Sequence, residues 1–198
     1  MITIDHVSMR FGGLKAVDDV SFEIPGGRIT GLIGPNGAGK TTLFNIIAGK
    51  LFPTAGEILL EGRRITRLQP HERARAGLAR TFQIPQEFSR LTVTENLMAA
   101  ADAPVGESVF NVVFRRAAFA AEQHDLAAFA RETIGFLELD RVADEKAGNL
   151  SGGQKKLLEL GRALMRKPRI ILLDEIGAGI NRTLLGKIAD KIKLLNRD

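Results

Sequence analysis

The most constraining feature of this 198-residue chain is a three-part run over residues 29–51: apolar residues, then a glycine-rich turn, then an amphipathic stretch. The apolar run Ile29 to Ile33 predicts a strand. It is followed by Gly34-Pro35-Asn36-Gly37-Ala38-Gly39-Lys40-Thr41, which fits the pattern G-x-x-x-x-G-K-[ST]. From Thr41, the residues Leu43, Ile46, Ile47 and Leu51 recur at helical spacing until Pro53 closes the pattern. The glycines allow successive backbone N–H groups to turn inward, the helix N-terminus adds the positive end of its dipole, and Lys40 supplies a full charge. A turn of this kind suits phosphate groups, with the hydroxyl of Thr41 placed for Mg²⁺ and Thr42 beside it in the first helical turn.

A second polar centre lies far along the chain. Ile170 to Leu173 is continuously apolar and ends in Asp174-Glu175, the pattern of a parallel strand buried on both faces whose carboxyl end opens on a ligand crevice. Neighbouring strand residues point to opposite sides, so the two acids can take different tasks. Asp174 is the candidate for the Mg²⁺ shell, and Glu175 for polarising a water that attacks a terminal phosphate.

The remainder divides by pattern. Ile2, Ile4 and Val7, then Val20, Phe22 and Ile24, read as strands punctuated by Gly12-Gly13 and Pro25-Gly26-Gly27. Residues 56–62 read as a further strand bounded by glycines. From about residue 84 to residue 150 the chain turns alanine-rich and amphipathic, with Leu126, Phe129, Ala130, Ile134 and Leu137 at helical spacing. A final helix is predicted from about Thr183 to Leu195. The organisation expected is a phosphate-binding core formed by residues 1–83 and 151–198, interrupted by a helical subdomain over 84–150.

Composition narrows the function classes. With 44% hydrophobic and 26% charged residues the chain can bury a sizeable core. Cysteine is absent, which removes disulfide and thiolate chemistry, and His6, His71 and His124 are too scattered to suggest a zinc site. No apolar run reaches the roughly 18 residues of a membrane span, and the start Met1-Ile2-Thr3-Ile4-Asp5 lacks the features of a leader. If the protein serves a membrane, a partner is expected to supply the spans. The net charge of +5 is interspersed with acids, the pattern of solvated faces rather than of a nucleic-acid surface.

One more motif completes the set. Leu150-Ser151-Gly152-Gly153-Gln154 precedes an amphipathic helix carrying Leu157, Leu158, Gly161 and Leu164. Ser151 and Gln154 fit a reciprocal capping box, while Gly152 and Gly153 leave bare N–H groups that an anion can approach closely. GPNGAGKTT, LSGGQ and IILLDE, in this order and at these separations, make the chain resemble the ABC ATPase family from Met1 to its end. The resemblance implies an α/β fold, a P-loop NTPase (RecA-like) core with an N-terminal antiparallel β subdomain and an inserted α-helical subdomain. It implies ATP and Mg²⁺ as ligands and a head-to-tail dimer, homo- or heteromeric, in which LSGGQ of one subunit closes on ATP held by the other. It also implies that Gln83, in Arg80-Thr81-Phe82-Gln83, contributes to catalysis and to the Mg²⁺ region, and that Phe11 stacks on adenine.

Within that family, MRFGGLKAVDDVSFEI, GLIGPNGAGKTTLFNIIAGK and RTFQIPQEFSRLTVTENL look most similar to ATP-binding subunits of branched-chain amino-acid importers. The resemblance then implies transmembrane permease partners, an indirect link to a solute-binding protein, no nucleic acid, and a cytoplasmic location on the inner face of the membrane. Two departures stand out. The family's strands and γ-phosphate histidine downstream of the catalytic acid have no counterpart after Glu175, so the core is expected to lack its C-terminal end. Ile176 replaces the usual proline after that acid, which frees the backbone there, and Arg182 sits beside Asn181, the position that crosses the dimer interface. Two alternatives follow: a truncated nucleotide-binding module with little turnover, and a soluble ABC ATPase acting on ribosomes or DNA.

Overall fold

The computed structural model describes residues 1–81, 87–102, 110, 114–174 and 182–195. The chain divides into two compact units, Met1–Arg80 with Ile192–Asp198, and Thr81–Lys191.

The first unit is built on a four-stranded antiparallel sheet in the order β2-β1-β3-β4, formed by β1 (Ile2–Phe11), β2 (Leu14–Ile24), β3 (Ala55–Leu60) and β4 (Arg63–Arg64). The buried residues of β1 are Ile2, Ile4, Val7 and Met9, a spacing of two, three and two. The step of three requires an extra residue, since a simple strand would turn Val7 to the opposite face. The pairing with β2 supplies it as a register shift between Ile4 and Val7, and a second shift between Val7 and Met9 places the compensating extra residue in β2. The two irregularities meet where His6 and Asp19, both at positive φ, face each other with Nδ1 and Oδ1 2.7 Å apart.

Helix α1 (Lys40–Ile47) follows in the same unit and buries Leu43, Ile46 and Ile47, the stripe expected from its periodicity. It ends at Ala48 rather than running on to Leu51. Helix α2 (Pro70–Arg75) and the short β5 (Leu78–Arg80) complete the unit. The strand expected at Ile29 to Ile33 does not form; these residues join no ladder, with Ile29 58% and Ile33 93% exposed. A strand exists only through a partner that takes up its N–H and C=O groups, and among the described residues none pairs with this run.

The second unit is mainly helical. It contains α3 (Val93–Met98), α4 (Arg116–Phe136), α5 (Gly152–Leu164), the short strand β6 (Ile170–Leu172) and most of α6 (Arg182–Leu195). Three helices converge at Gly161, where an added Cβ would lie 2.7 Å from a methyl of Leu137 and 2.8 Å from a methyl of Leu97, so any larger residue would push these side chains aside. Burial of Leu97, Leu137, Leu139, Leu158 and Leu160 forms the core around this crossing. Strand β6 is less enclosed than its apolar run predicts: Leu172 is buried, but Ile170 and Ile171 are half-buried. Such a run needs cover on both faces to disappear from solvent, and among the described residues that cover is partial. No described helix is long and apolar enough to cross a membrane.

Candidate functional site

The glycine turn of the first unit is wound over the start of α1. Gly34 to Ala38 are exposed, and the chain enters the helix through Gly39 at φ 81°. A Cβ at Gly39 would overlap the Ala16 carbonyl oxygen, so strand β2 sets how close the turn can come and which residue can occupy it. The first turn of α1 holds no acidic residue, which leaves its positive dipole end uncompensated. Lys40 Nζ donates to the carbonyl oxygens of Gly34 at 2.8 Å and Pro35 at 2.7 Å. The ammonium is therefore parked on the rim of its own loop, where phosphate oxygens can replace the two carbonyls. Thr41 is exposed and Thr42 half-buried in the following turn.

Phe11 lies at the tip of the β1–β2 hairpin, paired with Leu14, and is 45% exposed. The strand that runs back from Leu14 reaches Ala16, the residue whose carbonyl bounds Gly39. The exposed ring is thus carried by the hairpin that borders the glycine turn, a position suited to a flat apolar ring system.

The opposite end of α1 holds a residue that sequence reasoning missed. Arg73 is fully buried, and its guanidinium donates to the carbonyls of Ile46 (2.6 Å), Ile47 (2.7 Å), Thr66 (2.8 Å) and Leu68 (3.0 Å). Burial pushes its pKa down to about 10, yet a cation at a helix C-terminus satisfies carbonyls that have no partner within the helix. Nothing in the sequence separates Arg73 from its neighbour Arg75, which is exposed.

In the second unit Ser151 caps α5. The Gln154 N–H donates to Ser151 Oγ at 3.3 Å and the Ser151 N–H donates to Gln154 Oε1 at 2.9 Å, which closes the expected capping box. Gly152 is exposed, and nothing lies within 4 Å of where its Cβ would be, so the helix mouth stays open to an anion. Asp174 is half-buried just beyond β6, and its N–H donates to Thr81 Oγ1 at 3.4 Å. Thr81 N–H in turn donates to Leu172 O at 3.0 Å. The end of β6 is thereby tied to the residue two positions before Gln83. Gln83 and Glu175 lie outside the described residues, as does Asn181. Among the described residues no three His, Cys, Asp or Glu side chains cluster to hold a metal. Thr41 in the first unit and Asp174 in the second each carry an oxygen donor of the kind that Mg²⁺ takes.

A second overlooked residue is Asn96, fully buried in α3. Its Nδ2 donates to the carbonyls of Phe88, Leu91 and Thr92, and its Oδ1 accepts from the Phe88 N–H at 2.8 Å. Val93, Asn96 and Leu97 share one buried helical stripe, so a polar residue on an apolar stripe was the available signal.

Known proteins are similar to this chain over most of its length. Residues 17–178 match the ABC transporter family. The probable branched-chain amino acid transport ATP-binding protein LivG of Archaeoglobus fulgidus is 39% identical over 197 residues, which is 100% of this chain and 76% of that protein. The high-affinity branched-chain amino acid transport ATP-binding protein BraF of Pseudomonas aeruginosa is 38% identical over 181 residues, covering 91% of this chain and 71% of its own length. Among solved structures, a nucleotide-free ATP-binding cassette from an ABC transporter superposes with a TM-score of 0.83 at 38% identity, covering 100% of this chain and 77% of that one. An ATP-binding cassette of an ABC transporter in its ADP conformation gives 0.82 at 36% identity, with the same coverage.

Proposed function

We propose that this chain, which belongs to the ABC transporter family of ATP-binding domains, is the ATP-hydrolysing subunit of a membrane importer for branched-chain amino acids. The observation that carries the reading is the open glycine turn on α1, with Lys40 held by two loop carbonyls that a phosphate can displace. In this reading Gly34, Asn36, Gly37, Ala38 and Gly39 direct their N–H groups at the phosphates, Pro35, which has no N–H, shapes the loop around them, Lys40 neutralises the terminal phosphates, and Phe11 stacks on the base. Mg²⁺, bound with the nucleotide through Thr41, Asp174 and Gln83, would neutralise charge on the phosphates. Glu175 orients the attacking water, and Ser151, Gly152, Gly153 and Gln154 meet the ATP of a second subunit, identical or homologous. Residues 1–83 and 151–198 act as the nucleotide core, and 84–150 transmits closure to permease subunits at the inner face of the membrane. The transported class rests on the names of the LivG and BraF relatives.

Steady-state hydrolysis by the parent, Lys40→Ala and Glu175→Gln proteins, over a range of protein concentrations, tests this. Lys40→Ala should lose nucleotide binding, and Glu175→Gln should keep binding but turn over about 10²-fold more slowly. A Glu175→Gln protein that hydrolyses at the parent rate would remove Glu175 from its role. A second reading, a nucleotide-binding module with little turnover, is favoured by the Ile29–Ile33 run, which leads into the cradle without a strand partner among the described residues. A folded parent that binds ATP but does not hydrolyse it at any concentration would support that alternative.

A further inference from the structure

A charged and aromatic cluster in the second unit lies outside the residues assigned above. Lys155 Nζ is 2.7 Å from Glu87 Oε1, with side chains only 25% and 13% exposed, and the Arg162 guanidinium lies 4.9 Å from the centroid of the Phe88 ring. Lys155 directly follows Gln154 in the first turn of α5, a turn that holds no acidic residue. A cation there opposes the helix dipole, so its placement needs an anion from elsewhere, and Glu87 supplies it. Burial alone would raise the Glu87 carboxyl. The hydrogen bond from Lys155, a backbone N–H and the charges of Lys155 and Arg162 outweigh burial and hold the carboxyl below its ordinary range.

The stretch that carries Glu87 is held on its other sides too. Asn96 grips Phe88, Leu91 and Thr92 as described. The Ala147 N–H donates to Leu91 O at 2.9 Å and the Gly148 N–H to Ser89 O at 3.0 Å, just before the chain enters Leu150-Ser151. Residues 87–92 and the Ser151–Gln154 turn are thus stitched together by backbone bonds on one side of the motif and by the Glu87–Lys155 ion pair on the other.

We infer that Glu87 and Lys155 are positioning residues: their ion pair sets the attitude of the Ser151–Gln154 turn, and with it the aim of the N–H groups offered to the nucleotide of a second subunit. The inference deepens the proposed function and rests on it. It assigns the pair no contact with ATP and no part in the phosphate cradle.

A charge-reversal cycle in the full chain tests it, with Glu87→Lys, Lys155→Glu and the double variant, and Glu87→Gln as a milder control against misfolding. Hydrogen exchange is read at the amides of Gln154 and Lys155, which are bonded to Ser151 Oγ and O. Each single reversal should speed exchange there about tenfold or more and lower kcat by a similar factor, with binding of a fluorescent ATP analogue unchanged within twofold. The double variant should return both readouts to within about threefold of the parent. Exchange at the parent rate in all single variants, or a double variant no better than the singles, overturns the inference. A parent without turnover sensitive to Lys40→Ala would instead count against the ATPase reading, and the exchange cycle would still decide the ion pair.

Discussion

Replacing Arg73 by methionine keeps most of the side-chain volume but deletes every donor to the carbonyls of Ile46, Ile47, Thr66 and Leu68. Hydrogen bonds from a charged donor contribute at least about 1.5 kcal/mol each, so the four together are worth roughly 6 kcal/mol. Bonds that share one side chain do not add in full, so the expectation is a loss of at least about 3 kcal/mol, a large fraction of the stability of an ordinary domain. Urea unfolding followed by far-ultraviolet circular dichroism measures it. Arg73→Lys should fall between the two proteins, because one ammonium cannot reach all four acceptors in the planar fork arrangement. Because α1 carries the phosphate turn at its other end, ATP-analogue affinity should fall with stability. A methionine variant within about 0.5 kcal/mol of the parent would refute the claim that this guanidinium anchors α1.

Two further outcomes follow from the first unit. Gly39→Ala forces an alanine to φ 81° against the Ala16 carbonyl, so it should cost at least about 1–2 kcal/mol and weaken ATP-analogue binding at least tenfold; binding within twofold of the parent by fluorescence titration would contradict the geometry. The hydrogen bond and charge of Asp19 raise the pKa of His6 above 6.5, so the pair's contribution is fully present below that unfolded-state value and is lost as pH rises through the folded one. Urea midpoints of the parent minus those of Asp19→Asn, measured from pH 5 to 9, should therefore shrink with rising pH, and a flat or growing difference would exclude the coupling.

Local chemistry accounts for how much of the site was legible. The glycine turn, the α1 stripe and the Ser151–Gln154 cap are short-range: each is set by residues within a few positions, so spacing alone announces it. The step of three in β1 was equally open to reading, since Ile4 and Val7 are three apart and no regular strand buries both on one face. By contrast, the Ile29–Ile33 run has the composition of a strand but no ladder among the described residues, because pairing is a property of two segments.

The sequence by itself determined which groups could meet a phosphate, because backbone freedom at Gly39, the charge of Lys40 and the cap at Ser151 are properties of the local chain. Only the tertiary structure decided which of the many arginines and acids matter. Arg73 is buried while Arg75 is exposed, and Glu87 finds Lys155 from 68 positions away. The physical reason is that the value of a charge depends on the solvent it loses and the partner it gains, and both are set by segments brought together only on folding.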